Sequence, residues 1–174
     1  LMFFPFSSYS QISLNKLSTG LSNLWCISVL NDNEILLTQR KGNVFKLNII
    51  NKNIKKIKGV PKVVNFGQGG LLDIAVEDIN KNKKVYLCLS DKINTTKSAT
   101  AVHSYDLKNN ILLNKKLLFK SNKPSNSSRH FGCRLAIKGE FIFATIGDRG
   151  SRHDAQNFAN HSGSVIKIKK NGSN

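Results

Sequence analysis

RHFGCRLAIKGEFIFATIGDRGSRHDAQNFANHSGSVIKIK, residues 129–169, decides how this chain is read. It opens on a turn, His130-Phe131-Gly132-Cys133-Arg134, that leads into an apolar strand at 134–137. A hydrophilic break, Lys138-Gly139-Glu140, leads to a second strand at 141–146, which ends in Gly147-Asp148-Arg149-Gly150. If these strands are antiparallel neighbours, a histidine at the mouth of one meets an aspartate at the end of the next. A base with an orienting carboxylate is the generalised logic of an activated site.

Working outward, short strand-like runs dominate, with turn residues between them. The first set covers 25–30, 34–38, 43–49 and a weaker 54–57. Asn31-Asp32-Asn33 and Lys41-Gly42-Asn43 supply its tight turns. The second set covers 71–76, 84–90, 101–107 and 115–119, with a longer loop at 91–98. The third covers 134–137, 141–146 and 163–168. No long segment keeps a 3.6-residue period, so no major helix is predicted. Four strands, a polar connection and four more is the rhythm of propeller blades of about 40–50 residues. The predicted fold class is all-β: a partial β-propeller of about two and a half four-stranded antiparallel blades. Such an array leaves raw sheet edges, so the chain reads as a piece of a longer protein. Residues 1–19 form an N-terminal segment and 20–174 the incomplete propeller. The apolar opening Leu1-Met2-Phe3-Phe4-Pro5-Phe6 reads as the tail of a secretory signal, as an edge strand or as a frayed end.

The 174 residues suffice for one domain with a real core, and no run is long enough for a membrane span. Lysine and arginine number 27 against 10 acidic residues, a net charge of +17. Such a charge suits a polyanion, and a basic polyanion-binding protein is one alternative reading. Against it, the lysines are spread along the chain, and Phe3, Phe4, Phe141 and Phe143 sit in apolar runs rather than on stacking platforms. No nucleic-acid partner is expected. Of three cysteines, Cys26 and Cys88 lie in apolar runs and read as small core residues. Cys133 reads as a small residue in the tight turn after His130. None sits in a C-x-x-C, and the four scattered histidines do not form a metal site.

Taken alone, His130 reads as a surface-loop histidine and Asp148 as a turn aspartate. Gln68, in Phe66-Gly67-Gln68-Gly69-Gly70-Leu71-Leu72, reads as part of a turn between blades. Its glycines allow close approach to something planar or to another loop.

The three motifs R-H-F-G-x-R-L, T-I-G-D-R-G and N-H-x-G-x-V, in that order and spacing, resemble the soluble quinoprotein glucose and aldose sugar dehydrogenases, the glucose/sorbosone dehydrogenase family. The resemblance covers roughly residues 20–173, the first half of a family member. It implies a six-bladed propeller with pyrroloquinoline quinone (PQQ) and calcium on its axis. It implies His130 as the base that takes the sugar's anomeric hydroxyl proton, with Asp148 hydrogen-bonded to it and Gln68 as a cofactor contact. Hydride would pass from an aldose to the quinone, and an electron acceptor of unknown identity would follow. The calcium ligands are expected outside this chain, and no metal-binding residue is assigned within it. Location is expected to be periplasmic or secreted. His161 is read as structural, and Arg134 as structural or a pocket wall. Val76-Glu77-Asp78-Ile79 departs from the family's H-P-D-F turn, and Ser164 from its usual basic residue. A non-catalytic propeller that binds a partner is the remaining alternative. His130 and Gln68 are expected at one end of the channel.

Overall fold

The computed structural model describes residues 12–17, 20–80 and 82–172. The N-terminal signal reading falls on residues 1–19 and lies largely outside them. The elements run β1 Leu24–Asn31, β2 Glu34–Gln39, β3 Asn43–Asn48, β4 Ile54–Lys56, β5 Leu71–Ile79, β6 Asn82–Lys92, β7 Ser98–Lys108, β8 Ile111–Lys120, β9 Gly132–Lys138, β10 Phe141–Ile146 and β11 Val165–Lys169. A short 3-10 turn, Arg152–Gln156, lies between β10 and β11.

These strands form three antiparallel meanders, β1-β2-β3-β4, β5-β6-β7-β8 and β9-β10-β11. The inner strands β1, β5 and β9 pack side by side, so the sheets stand as successive blades of a partial β-propeller. The expected strands are all present. The segment 76–79, which departs from the turn motif that the resemblance implies, continues β5, with Glu77 opposite Lys84 and Asp78 opposite Lys83. The acidic side chains there face lysines across the strand pair, and Lys83 Nζ lies 2.6 Å from the Asp78 carboxylate. Opposite charges at paired positions favour continued strand.

Period-2 alternation explains how the blades stack. Val85, Leu87 and Leu89 of β6 join Leu36, Val44, Leu71 and Tyr105 in a core between the first and second blades. The intervening Tyr86 and Cys88 join Leu72, Val102, Phe131, Leu135 and Ile142 in a core between the second and third. The second blade is thus covered on both faces, which is why β6 reads as an almost unbroken apolar run. Ile27 and Val29 of the first blade stay exposed.

One sequence reading is corrected here. Cys88 and Cys133 are joined as a disulfide, with Cα atoms 6.4 Å apart. Both were expected to be unpaired small residues. Pairing between strands of different blades leaves no mark in local spacing, because 45 residues separate the partners. Cys26 remains free and buried.

His103 of β7 is 2% exposed, and neither ring nitrogen has a hydrogen-bond partner. Its Nε2 lies 3.7 Å from Asp91, whose carboxylate is already 2.9 Å from Lys120. Burial, followed by the Lys115 charge, pushes the imidazole down to about 4.

Two predictions follow from this packing. Closing a loop of this length should contribute about 4 kcal/mol in the chain-entropy account, so Cys88→Ser with Cys133→Ser should lower the denaturant midpoint sharply. An unchanged midpoint would refute the cross-link. For His103, the unfolded chain binds a proton near pH 6.5 and the folded one only near 4. The unfolded state therefore gains protons first as pH falls, and stability should drop by about 3 kcal/mol between those values. His103→Gln should lack that share of the acid-side slope in pH-dependent melts. Parallel curves for the two proteins would refute the assignment.

Candidate functional site

The turn that carries His130 is bound on several sides. The backbone N–H of His130 donates to Gln68 Oε1 at 2.8 Å. The His130 carbonyl accepts from the N–H of Arg149 at 3.1 Å, and the Phe131 carbonyl from Gly147 at 3.2 Å. Thr100 Oγ1 also donates to the Phe131 carbonyl, at 2.8 Å. His130 adopts φ +53°, the left-handed region that non-glycine residues seldom occupy. Such a conformation persists where the surroundings over-determine it.

Two glycines make that close packing possible. A Cβ on Gly147 would stand 1.9 Å from the His130 carbonyl oxygen. A Cβ on Gly67, at φ +56°, would stand 2.2 Å from the Ser128 carbonyl oxygen. The second of these lets the Gln68 N–H donate to that same carbonyl at 2.7 Å. The glycine run around Gln68 therefore serves contact between two loops.

The catalytic pair expected from sequence is brought together. His130 Nδ1 lies 2.8 Å from Asp148 Oδ1, with the histidine side chain 53% exposed. Asp148 also accepts from the Gly150 N–H at 2.8 Å. That backbone bond, and then the His130 ring, hold its carboxyl below the usual carboxylate range. An ionised Asp148 can only accept, so the proton of the neutral imidazole is assigned to Nδ1. Nε2 is then the lone-pair nitrogen, on an exposed ring. Gln68, His130 and Asp148 thus lie at one end of the blade array.

His161 is tied to the loop after β8: its Nδ1 accepts from the Asn122 N–H, and its N–H donates to Asn122 Oδ1, each at 3.1 Å. Its ring packs 5.0 Å from Phe119. It is not in contact with His130. His153 lies in the 3-10 turn. Among the described residues no group of three His, Cys, Asp or Glu side chains could hold a metal ion. No described helix is long and apolar enough to cross a membrane.

Two residues that sequence reasoning left without a role are central here. Asp73, 1% exposed, accepts from the Leu135 N–H at 2.5 Å and from Arg134 Nη1 at 3.0 Å. The only hint was a charged residue in the apolar run Leu71-Leu72-Asp73-Ile74. Arg134 also places Nη1 3.3 Å from Cys26 Sγ, so it lines the inner cleft beside β1 and β5. The other residue is Arg149, 8% exposed, whose guanidinium lies 3.6 Å over the Phe131 ring. Burial brings it down to about 10, which leaves it charged at neutral pH. A cleft of about 510 Å³ opens beside Asp148 and Arg149, between the loop at 123–126 and the 3-10 turn. A larger one, about 710 Å³, lies between β8 and β11 and includes none of Gln68, His130 or Asp148.

The profile of the glucose/sorbosone dehydrogenase family matches residues 21–174. The chain belongs to this family. It is 25% identical over 168 residues to the aldose sugar dehydrogenase of Escherichia coli K12, a match covering 94% of this chain and 45% of that protein. A solved glucose dehydrogenase is similar at TM-score 0.85 and 28% identity, over 91% of this chain and 51% of the other. The soluble aldose sugar dehydrogenase of E. coli in its apo-form is similar at TM-score 0.80 and 27% identity, over 87% and 45%. The PQQ-bound aldose sugar dehydrogenase of Streptomyces coelicolor shares the fold at TM-score 0.76 and 22% identity, over 91% and 48%. The chain therefore spans about half the length of these glucose/sorbosone dehydrogenase relatives.

Gly147→Ala should be far more damaging than its size suggests, because the added methyl meets the carbonyl of His130 itself. Such overpacking typically costs about 1–3 kcal/mol, and occasionally more. A melt within a degree of the parent, with the His130–Asp148 bond retained by NMR, would refute this account of the turn.

Proposed function

We propose that the full-length protein carrying this chain is a PQQ-dependent aldose sugar dehydrogenase that oxidises the anomeric carbon of its substrate. The observation that carries this reading is the His130–Asp148 pair, with its exposed ring beside Gln68. The family membership and the named activities of the relatives support it.

The chemistry assigned to this chain is proton handling. Asp148 stays ionised and keeps the imidazole proton on Nδ1, so Nε2 takes the proton of the anomeric hydroxyl. The imidazolium that forms is stabilised by the same carboxylate. Proton removal by a positioned histidine is general base catalysis. When bound, the quinone supplies the two-electron acceptor for the hydride leaving the sugar carbon.

The residues fit an anionic quinone on one side of such a pocket. The Gln68 carboxamide uses its oxygen on His130, which leaves its NH₂ to donate. Arg40 reaches the Gly67 carbonyl and adds a cation at the same loop. Among the described residues no group of three His, Cys, Asp or Glu side chains could hold calcium, and this reading places its ligands outside the chain. The electron acceptor is a separate partner. A Cys88–Cys133 bridge favours an oxidising compartment, which supports a periplasmic or secreted location.

In the full-length protein, His130→Ala should lower the rate of aldose oxidation by roughly 10²–10⁴, the share of a positioned base. Asp148→Asn should lose less, because orientation is only part of the effect. Steady-state rates at full PQQ occupancy test this, and an undiminished rate in His130→Ala would refute the base assignment.

A further inference from the structure

Arg149 follows the aspartate of the pair and has its guanidinium buried against the loop that delivers His130. Nη1 donates to the Ser98 carbonyl at 3.1 Å. Nη2 donates to the Ser127 carbonyl at 2.5 Å, and lies 3.4 Å from the Ser125 carbonyl and 3.3 Å from Ser98 Oγ. The guanidinium plane rests on the ring of Phe131. One side chain thus grips residues 125 and 127 before His130, residue 131 after it, and the first residue of β7 beneath it.

We propose that Arg149 is a positioning residue for the His130 base, fixing the imidazole relative to Asp148. The proposal rests on the reading of His130 as that base. His130 sits in a left-handed conformation that its own backbone does not favour. Asp148 is set by the turn that continues into Arg149, whose own φ is +54°. The His130 loop and the Asp148 turn flank the open end of the β9–β10 hairpin, so the 2.8 Å bond between the side chains depends on how firmly that end is held. The Arg149 backbone N–H reaches the His130 carbonyl, and its guanidinium reaches the preceding loop. Movement of one segment is then movement of both.

Arginine suits this task where lysine does not. Its planar fork presents several N–H donors and a stacking face, whereas an ammonium is a compact point charge. Burying a charge without an acidic partner is costly unless its donors are satisfied. Here carbonyl oxygens take Nη1 and Nη2 and Phe131 covers the face, while Nε has no hydrogen-bond partner. A buried cation kept for packing alone would be replaceable by a methionine of similar reach.

The test uses the full-length enzyme loaded with PQQ, carrying Arg149→Lys, Arg149→Met or Arg149→Ala. All three should lower kcat by roughly 10- to 100-fold, the penalty of about 1 Å of misplacement, with KM for the aldose and PQQ occupancy little changed. The hydrogen-bonded Nδ1 proton of His130, read by NMR, should weaken or vanish in each. Added guanidinium ion should restore part of kcat and that resonance in Arg149→Ala, while ammonium should not. Should Arg149→Met fail to fold, Arg149→Lys, which keeps the charge, and the guanidinium arm decide the matter. Variants with parental kcat and an intact Nδ1 resonance would overturn the proposal. So would guanidinium raising the melting temperature without raising kcat. The NMR readout separates the two claims: a parent protein that oxidises no aldose sinks the enzyme reading, while the His130–Asp148 resonance still reports whether Arg149 holds the pair.

Discussion

Among the described residues, backbone bonds between neighbouring sheets are few, a Lys58–Ile111 bridge and the Leu71 N–H to the Arg40 carbonyl among them, so side chains do most of the holding. Apolar faces supply most of the attraction, but they are tolerant of sliding. Position is set by polar contacts at the inner edge, above all by Asp73. Its carboxylate reaches from β5 to the Leu135 N–H and to Arg134, both on β9. A buried carboxylate must find its donors or lose several kcal/mol, so the relative height of the second and third blades is fixed within hydrogen-bond tolerance. Strand β9 is also the strand that follows His130. The height at which that histidine stands is therefore inherited from a contact remote from the chemistry.

A repeated local device delivers these residues. β1 and β5 each carry a register shift near their start, between Leu24 and Cys26 and between Leu71 and Asp73. The β9–β10 pair carries one between Ala144 and Ile146, opposite Arg134. A bulge re-aims a side chain without ending the strand. Cys26, Asp73 and Arg134 meet in consequence, one from each blade, at the inner cleft.

Much of this fold was legible in the sequence because turns and period-2 alternation are local signals. Asn31-Asp32-Asn33 and Lys41-Gly42-Asn43 marked hairpins, and the apolar runs beside them became strands. The meeting of His130 and Asp148 was also legible, since two short strands joined at Lys138-Gly139-Glu140 can hardly avoid pairing. What stayed hidden depends on contact between blades. Cys88 looked like one more small residue in an apolar run, and Asp73 and Arg149 drew no reading of their own. Each acquires its role only from partners dozens of residues away. The sequence reading ended this strand at Val76, whereas cross-strand charges carry it on to Ile79.

The Cys88–Cys133 link has a further consequence for how the molecule breathes. It joins a central strand of the second blade to the first turn of the third, so those two sheets cannot separate by sliding along their shared core. Local opening in proteins follows cooperative blocks rather than single strands. The second and third blades are cross-linked into one such block, whereas the first blade is held to it by the backbone of residues 57–70 and by packing, with no disulfide among the described residues. The cross-link thereby directs local opening toward the first blade and away from the turn that carries His130.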